Sequence, residues 1–140
     1  MVIRLLPLAA SASFFLLVAP PAAAKEPFQR CQHGGSGDCV VDGDTFWMSG
    51  QKIRIADIDT PEIHQPRCMA EYEQGERAAQ RLLTLLNAGA FSLEPVAREK
   101  DRYGRTLRVV NRRGRSVGAM LVAEGLARPW TGSRQPWCRS

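Results

Sequence analysis

The chain has 140 residues, with 19 Lys and Arg against 14 Asp and Glu, and a formal net charge of +5. This length builds one domain with a modest core and excludes a second domain of ordinary size. The positive balance suits a polyanionic partner, but many exported proteins are basic, so charge alone selects no function.

The first 24 residues have the layout of a secretory signal peptide. Arg4 provides a positive charge, an apolar run follows at 5–18, and small residues precede a cleavage point after Ala24. A retained membrane anchor is the alternative. The apolar run is shorter than the roughly 20 residues of a membrane-spanning helix, and Pro7 interrupts it. We therefore expect an exported protein, periplasmic or secreted, with no membrane segment in its mature form.

Four cysteines lie in the part that follows the signal: Cys31, Cys39, Cys68 and Cys138. An even number in an oxidising compartment predicts two disulfides, for which three connectivities are possible. We favour a local Cys31–Cys39 bond together with Cys68–Cys138, which would tie the tail to the body. No CxxC pair is present, which argues against a zinc site or dithiol redox chemistry.

An irregular lead-in at 25–38 precedes three short predicted strands. These are "CVVD", "DTFWM" after a DG turn signal, and "QKIRIAD" after an SG turn signal. In the third, Ile53 and Ile55 share one face of the strand and Arg54 lies on the other. We expect Arg54 to point away from the core. The loop "DIDTPEIHQPR" follows.

The segment "MAEYEQGERAAQRLLTLLNAG" predicts the longest helix. Apolar residues recur there at helical spacing, at Ala79, Leu82, Leu83 and Leu86, and Gly89 follows as a C-terminal cap. Two further strands, "AFSLEPV" and "TLRVVN", are joined by the charged turn "AREKDRYGR".

A second helix is predicted from Ser116, as its N-cap, to Gly125, with Val117, Met120 and Leu121 buried. The segment "LARPW" is a short extended piece, and "TGSRQPWCRS" has no regular pattern. The order of the predicted elements, which is strands, a helix, further strands and a second helix, predicts an α+β domain at 39–140 that is mainly β. We expect a five-stranded OB-type barrel with two helices, stabilised by disulfides.

Carboxylates are concentrated in the loops around the third strand, at Asp42, Asp44, Asp59 and Glu62. If neighbouring strands bring them together, they repel unless a cation or protons compensate. Oxygen ligands of this kind suit Ca²⁺ or Mg²⁺. Each piece alone is also ordinary turn sequence, so two solvated turns remain the alternative. Asp57, in the same stretch, is expected to pair with a nearby arginine.

Arginines near these acids favour the cation site. Arg54 leads into "DIDTPE", and Arg102 and Arg105 flank Tyr103 on another turn. A metal flanked by guanidinium groups is what in-line attack on a phosphodiester requires, because the arginines bind phosphate oxygens as negative charge accumulates. Glu62 is the candidate that orients the attacking water or takes its proton.

Four motifs in this order, "VDGDT", "IRIADIDTPE", "DRYGR" and "MLVAEGLARPW", resemble those of the thermonuclease (staphylococcal nuclease-like) family. The resemblance covers nearly the whole folded part. It implies an OB-type barrel and Ca²⁺-dependent hydrolysis of DNA and RNA, with single strands preferred and 3′-phosphate ends left. It is compatible with a monomer.

Residue by residue, the resemblance implies that Asp44 and Asp59 are direct Ca²⁺ ligands. The Thr60 carbonyl would be a third ligand, and Asp42 would lie in the outer shell. It also implies which residues act on the substrate. Arg54 and Arg105 would bind the scissile phosphate, and Glu62 would orient the water or take its proton. Arg102 and Tyr103 would contact the terminal phosphate.

The chain departs from the family in three places. Arg102 stands where the best-known member has lysine, which keeps the charge. The aromatic wall on which a base stacks is not clearly reproduced, and Trp130 is the nearest substitute. The family's C-terminal helix is missing, and the Cys68–Cys138 bond could replace its packing.

A second hypothesis is a catalytically silent OB-fold module that binds single-stranded nucleic acid or a protein. Such a module would be expected to lose an arginine, the glutamate or a metal aspartate. All five are present at Arg54, Arg105, Glu62, Asp44 and Asp59, which favours the enzyme.

Overall fold

A computed structural model describes residues 25–32 and 37–139. The predicted signal peptide at 1–24 and part of the lead-in, 33–36, lie outside the described residues. The elements in chain order are β1 (Gln29–Arg30), β2 (Cys39–Asp42), β3 (Thr45–Met48), β4 (Gln51–Ile55), β5 (Ile58–Asp59), α1 (Met69–Asn87), β6 (Ser92–Lys100), β7 (Thr106–Arg112), β8 (Arg115–Ser116), α2 (Val117–Ala123) and β9 (Arg128–Pro129).

Most strands of the described part form one sheet in the order β1-β2-β3-β4-β7-β6, with β8 paired to β7. Strands β2, β3 and β4 form an antiparallel meander, β4 and β7 are parallel, and β7 returns on β6 as a hairpin. The short strands β5 and β9 pair separately. The mainly β architecture with two helices is therefore confirmed. Closure of the sheet into a five-stranded barrel stays a prediction.

One strand is longer than its sequence pattern indicates. β6 was expected to end near residue 96, in front of a charged turn, but it continues to Lys100, which pairs with Thr106. The charged residues of this extension are exposed, so they interrupt no core packing while the backbone remains hydrogen-bonded. The turn is confined to 101–105.

The core lies between the sheet and α1, and Phe46, Ile53, Ile55 and Leu82 are among its least exposed side chains. Leu83, expected in the core, is only partly buried. The buried stripe of α1 runs instead through neighbouring positions of the same helix: Ala78, Ala79, Leu82, Leu85 and Leu86.

Helix α2 begins as predicted, because the Ser116 hydroxyl accepts a hydrogen bond from the Ala119 N–H at 3.0 Å. Val117 and Leu121 are buried, whereas Met120 is only partly buried. Gly125, just after the helix, has a φ of +73°, as its predicted place at the helix end requires.

Both expected disulfides are present. Cys31–Cys39 joins the lead-in to β2, and Cys68–Cys138 joins the residue before α1 to the tail. The second bond closes a sequence separation of 70 residues, and closing such a loop stabilises the fold by about 4 kcal/mol in the chain-entropy account. In the described part of the chain, none of the helices is long and apolar enough to cross a membrane.

Candidate active site

Strand register brings separate loops to one cleft. Thr45 on β3 lies opposite Arg54 on β4, and Arg54 lies beside Leu107 on the parallel strand β7. Because β7 begins directly after the turn at 101–105, that turn reaches the same place. The cleft has a volume of about 1170 Å³. Residues predicted to act on substrate line it together: Arg54, Glu62, Arg102, Tyr103, Arg105 and Trp130.

Arg54 lines this cleft and is nevertheless buried, with 6% of its surface exposed. Its Nη2 lies 3.2 Å from Asp44 Oδ2 and 3.7 Å from Asp59 Oδ1. Its Nη1 donates to the backbone carbonyls of Ile55 and Ile58, the latter at 2.8 Å. One guanidinium group therefore bridges the two aspartates that were predicted to bind a metal, and neutralises part of their charge.

Asp44 is fixed between two loops. Its Oδ1 accepts from the Thr45 hydroxyl at 2.9 Å, and its Oδ2 accepts from the Thr60 N–H at 3.1 Å. Gly43 allows this turn to lie against α1, because a Cβ there would be 2.6 Å from the Cβ of Ala78. The glycine of "DGDT" thus serves a close approach that places Asp44.

Burial perturbs the neighbouring acids. Asp42 Oδ1 accepts from the Asp44 N–H at 3.1 Å. Although Asp42 as a residue is half-buried, burial of its carboxyl group and, second, the charge of Asp44 raise its pKa to about 7. Burial also raises the pKa of Asp59; Arg134 opposes the rise and Asp44 adds to it. Both carboxyl groups would gain from a nearby cation.

The chemistry of this pair fits a hard divalent cation. Asp59 Oδ1 is buried and accepts no hydrogen bond from the described residues. Across 25–32 and 37–139, no group of three or more His, Cys, Asp or Glu side chains is arranged to hold a metal ion, and Arg54 contacts both Asp44 and Asp59. Ca²⁺ accepts carboxylates together with backbone carbonyls and water. Asp44, Asp59 and the Thr60 carbonyl can supply the protein part of such a set.

Arg105 completes the cleft from the other side. Its Nε donates to Asp101 Oδ2 at 2.6 Å, and its Nη1 lies 3.5 Å from the Thr45 hydroxyl. Burial alone would raise the pKa of Asp101, but hydrogen bonds from the Arg105 side chain and from backbone N–H groups bring that pKa below its ordinary value. Arg105 is thus held between Asp101 and Thr45, the residue after Asp44.

Aromatic and cationic groups form the rim. Tyr103 is 68% exposed, its hydroxyl lies 2.6 Å from Arg102 Nη2, and the Arg105 guanidinium lies 5.4 Å from its ring centre. Trp130, which lines the same cleft, is 42% exposed, with the Arg54 guanidinium 5.7 Å from its ring. Exposed rings beside guanidinium groups suit stacked bases and phosphates.

The sequence profile described as "Staphylococcal nuclease homologue" matches residues 52–137. This span is more than half of the chain and contains most of the cleft residues. The chain belongs to the staphylococcal nuclease family.

Several curated relatives of this family member are named nucleases. It is 40% identical over 97 residues to Endonuclease YncB of Bacillus subtilis (strain 168), covering 65% of this chain and 45% of that protein. It is 36% identical over 93 residues to Thermonuclease of Staphylococcus hyicus, covering 64% and 54%. It is 34% identical over 132 residues to Micrococcal nuclease of Shigella flexneri, covering 85% and 67%. The chain thus spans about half the length of several relatives that it matches.

In this staphylococcal nuclease family member the tail contributes residues that sequence reasoning missed. Arg134 Nε lies 3.2 Å from Asp59 Oδ1, and its Nη1 forms an ion pair with Glu62. The indole N–H of Trp137 donates to Asp59 Oδ2 at 3.2 Å. The signal that could have found them is the predicted bond of Cys138, since it returns an otherwise patternless tail to the body.

The expectation for Asp57 is wrong. Its Oδ2 accepts from the Ser116 hydroxyl at 2.6 Å, and no arginine of the described residues forms an ion pair with it. The reason is the position of the start of α2, because its N-cap Ser116 reaches the Asp57 carboxylate and a Cβ at Gly118 would lie 2.8 Å from Asp57 Oδ1.

Proposed function

We propose that this protein is an exported, Ca²⁺-dependent nuclease that hydrolyses phosphodiester bonds of DNA and RNA and leaves 3′-phosphate ends. The observation that carries the proposal is the convergence of Arg54, Glu62 and Arg105 on one cleft beside Asp44 and Asp59. The names of the relatives, endonuclease, thermonuclease and micrococcal nuclease, support the same chemistry.

Ca²⁺ is the cation we propose for Asp44, Asp59 and the Thr60 carbonyl, with Asp42 in the outer shell. When bound, it would supply a Lewis acid for a phosphate oxygen and for water. The raised pKa values of Asp42 and Asp59 support a role for a cation, since burial and then the charge of Asp44 make their ionised forms unfavourable without one.

The remaining work falls to side chains of the cleft. Arg54 and Arg105 bind the non-bridging phosphate oxygens and stabilise the charge that develops in the transition state. Glu62, at the mouth of the cleft, orients the water or accepts its proton. The rim formed by Arg102, Tyr103 and Trp130 binds the adjoining phosphate and a base.

The open, aromatic rim favours single-stranded substrate, because an unpaired base can leave its stack to contact a ring. We also propose that the protein is exported to the periplasm or the medium and is a monomer. The sheet is proposed to close into a five-stranded OB-type barrel. The paired disulfides suit an oxidising compartment.

Arg105→Ala tests the proposed reaction, with Arg115→Ala as the control that loses the same charge on exposed β8. Losing one preorganised transition-state donor lowers kcat by about 10²–10³-fold. We expect that loss in Arg105→Ala and a rate near wild type in Arg115→Ala, measured by single-turnover cleavage of a labelled DNA strand with Ca²⁺. Equal rates in both variants would contradict the role of Arg105.

The same assay separates the enzyme from a silent binding module. Wild-type protein that shifts the labelled strand on a gel but leaves it uncut at every Ca²⁺ concentration would favour the module. Cleavage that stops when a chelator is added favours the nuclease.

A further inference from the structure

The C-terminal tail lines the cleft as a segment held at both ends. At its start, the Trp130 N–H donates to the Asp57 carbonyl at 2.9 Å. At its end, Cys138 is bonded to Cys68. The exposed residues between these points line one side of the cleft at Gly132, Ser133 and Arg134. The tail therefore stays beside the site although it has no regular structure.

Arg134 is the residue of this segment that reaches the carboxylates. Its Nε lies 3.2 Å from Asp59 Oδ1, and its Nη1 pairs with Glu62 Oε1. Its side chain is 39% exposed, whereas that of Asp59 is 5% exposed. A single guanidinium thus contacts a proposed metal ligand and the proposed water-orienting carboxylate at once.

The oxygen that Arg134 approaches is the one most suited to a metal. Asp59 Oδ1 is buried and accepts no hydrogen bond from the described residues, so its contacts with Arg134 and Arg54 are ionic. An arginine stays protonated at all ordinary pH values. A divalent cation that binds this oxygen must displace the guanidinium or bind against its repulsion.

The tether makes the competition persistent. A cation in solution must compete with an arginine whose effective concentration near Asp59 is of millimolar order, as for groups joined by short linkers. Trp137, which donates to the other Asp59 oxygen at 3.2 Å, holds the end of the tail on the same carboxylate.

We propose that Arg134 competes with Ca²⁺ for Asp59 and thereby lowers the affinity of the Asp44–Asp59 site for the cation. This inference rests on the proposed function, because it takes that pair as the metal site. It adds that binding of the metal loosens the Arg134 contacts, so that Glu62 becomes free to hold a water.

The test is the Ca²⁺ affinity of Arg134→Gln, measured by calorimetric titration of chelator-treated, disulfide-intact protein. Arg77→Gln is the matched control, since it removes the same charge from an exposed position on α1. Removing a partly exposed competing charge is expected to lower the Kd by about three- to tenfold. Arg77→Gln should leave the Kd unchanged.

Arg134→Lys adds a second check, because it keeps the charge on the tether. Its Kd should lie closer to wild type than to Arg134→Gln. The inference is overturned if Arg134→Gln binds Ca²⁺ no more tightly than wild type, if Arg77→Gln tightens binding equally, or if Arg134→Lys matches Arg134→Gln. Wild-type protein that binds no Ca²⁺ would overturn the proposed metal site as well. If wild type binds Ca²⁺ tightly and cleaves DNA, but Arg134→Gln has the same Kd for Ca²⁺ as wild type, the inference is overturned and the proposed function is not.

Discussion

Replacing Arg54 by methionine should destabilise the metal-free protein strongly, because Arg54 is the shared counter-charge of two buried acids. Its side chain is 7% exposed, and those of Asp44 and Asp59 are 3% and 5% exposed. Methionine fills similar space but leaves both carboxylates facing each other. It also removes the donor that the Ile58 carbonyl now has at 2.8 Å.

The expected magnitude follows from this burial. Removing one partner of a buried ion pair costs about 3–5 kcal/mol, since the other charge is left without compensation; here that charge is Asp44, because Arg134 still contacts Asp59. The Arg81–Glu124 pair is a suitable comparison, with side chains 38% and 39% exposed and a 2.7 Å contact. Losing an exposed pair of that kind costs about 0–1 kcal/mol.

The assay is urea unfolding of Arg54→Met and Arg81→Met, followed by tryptophan fluorescence, first with chelator and then with Ca²⁺. We expect Ca²⁺ to stabilise Arg54→Met more than wild type, because the cation would compensate the charges that Arg54 no longer does. If Arg54→Met loses no more free energy of unfolding than Arg81→Met in chelator, the structural role assigned to Arg54 is wrong.

Two further predictions concern the surroundings of the site. Gly75→Ala should lower the free energy of unfolding by about 1–2 kcal/mol, measured by thermal denaturation. The reason is that a Cβ there would lie 2.8 Å from the Pro61 carbonyl oxygen and press on the loop that carries Glu62. A thermal midpoint at or above that of wild type would contradict this. Asp101→Asn should cost stability at neutral pH, since the net effect of the Arg105 contacts is a pKa below the ordinary 3.8. The stabilisation by ionised Asp101 is complete above pH 3.8 and is lost as the pH falls through the lower pKa of Asp101 in the folded protein. The difference in urea midpoint between Asp101→Asn and wild type should therefore vanish in strong acid. A difference that persists there would contradict this prediction.

Local features were predictable because they depend on neighbours in sequence. The helical spacing of Ala79, Leu82 and Leu86, and the cap at Ser116, appear where the pattern indicates. The two disulfides were favoured among three connectivities as a local bond and a bond that ties the tail to the body, and the second of them is not local, since it joins residues 70 apart. For the site, motif order indicated which residues belong together, and the parallel pairing of β4 with β7 is what brings Arg54 and the turn at 101–105 to one cleft.

Other features depend on tertiary contacts that leave no local pattern. Alternation placed Arg54 opposite the core face, but its burial results from the Asp44 and Asp59 loops that close over it. The extension of β6 to Lys100 comes from pairing with β7 and not from its own charged side chains. Arg134 lies in a tail without periodicity, and the Cys68–Cys138 bond together with the hydrogen bonds of Trp130 and Trp137 keeps that tail near Glu62.

A Ca²⁺ titration of cleavage by wild-type, disulfide-intact protein tests the central claim most directly. Labelled single-stranded DNA is incubated with increasing Ca²⁺ after chelator treatment, and the ends of the products are analysed. We expect cleavage that rises and saturates with Ca²⁺, stops on addition of chelator, and leaves 3′-phosphate ends. DNA that is bound but remains intact throughout the titration, or cleavage that is unchanged by chelator, would contradict it.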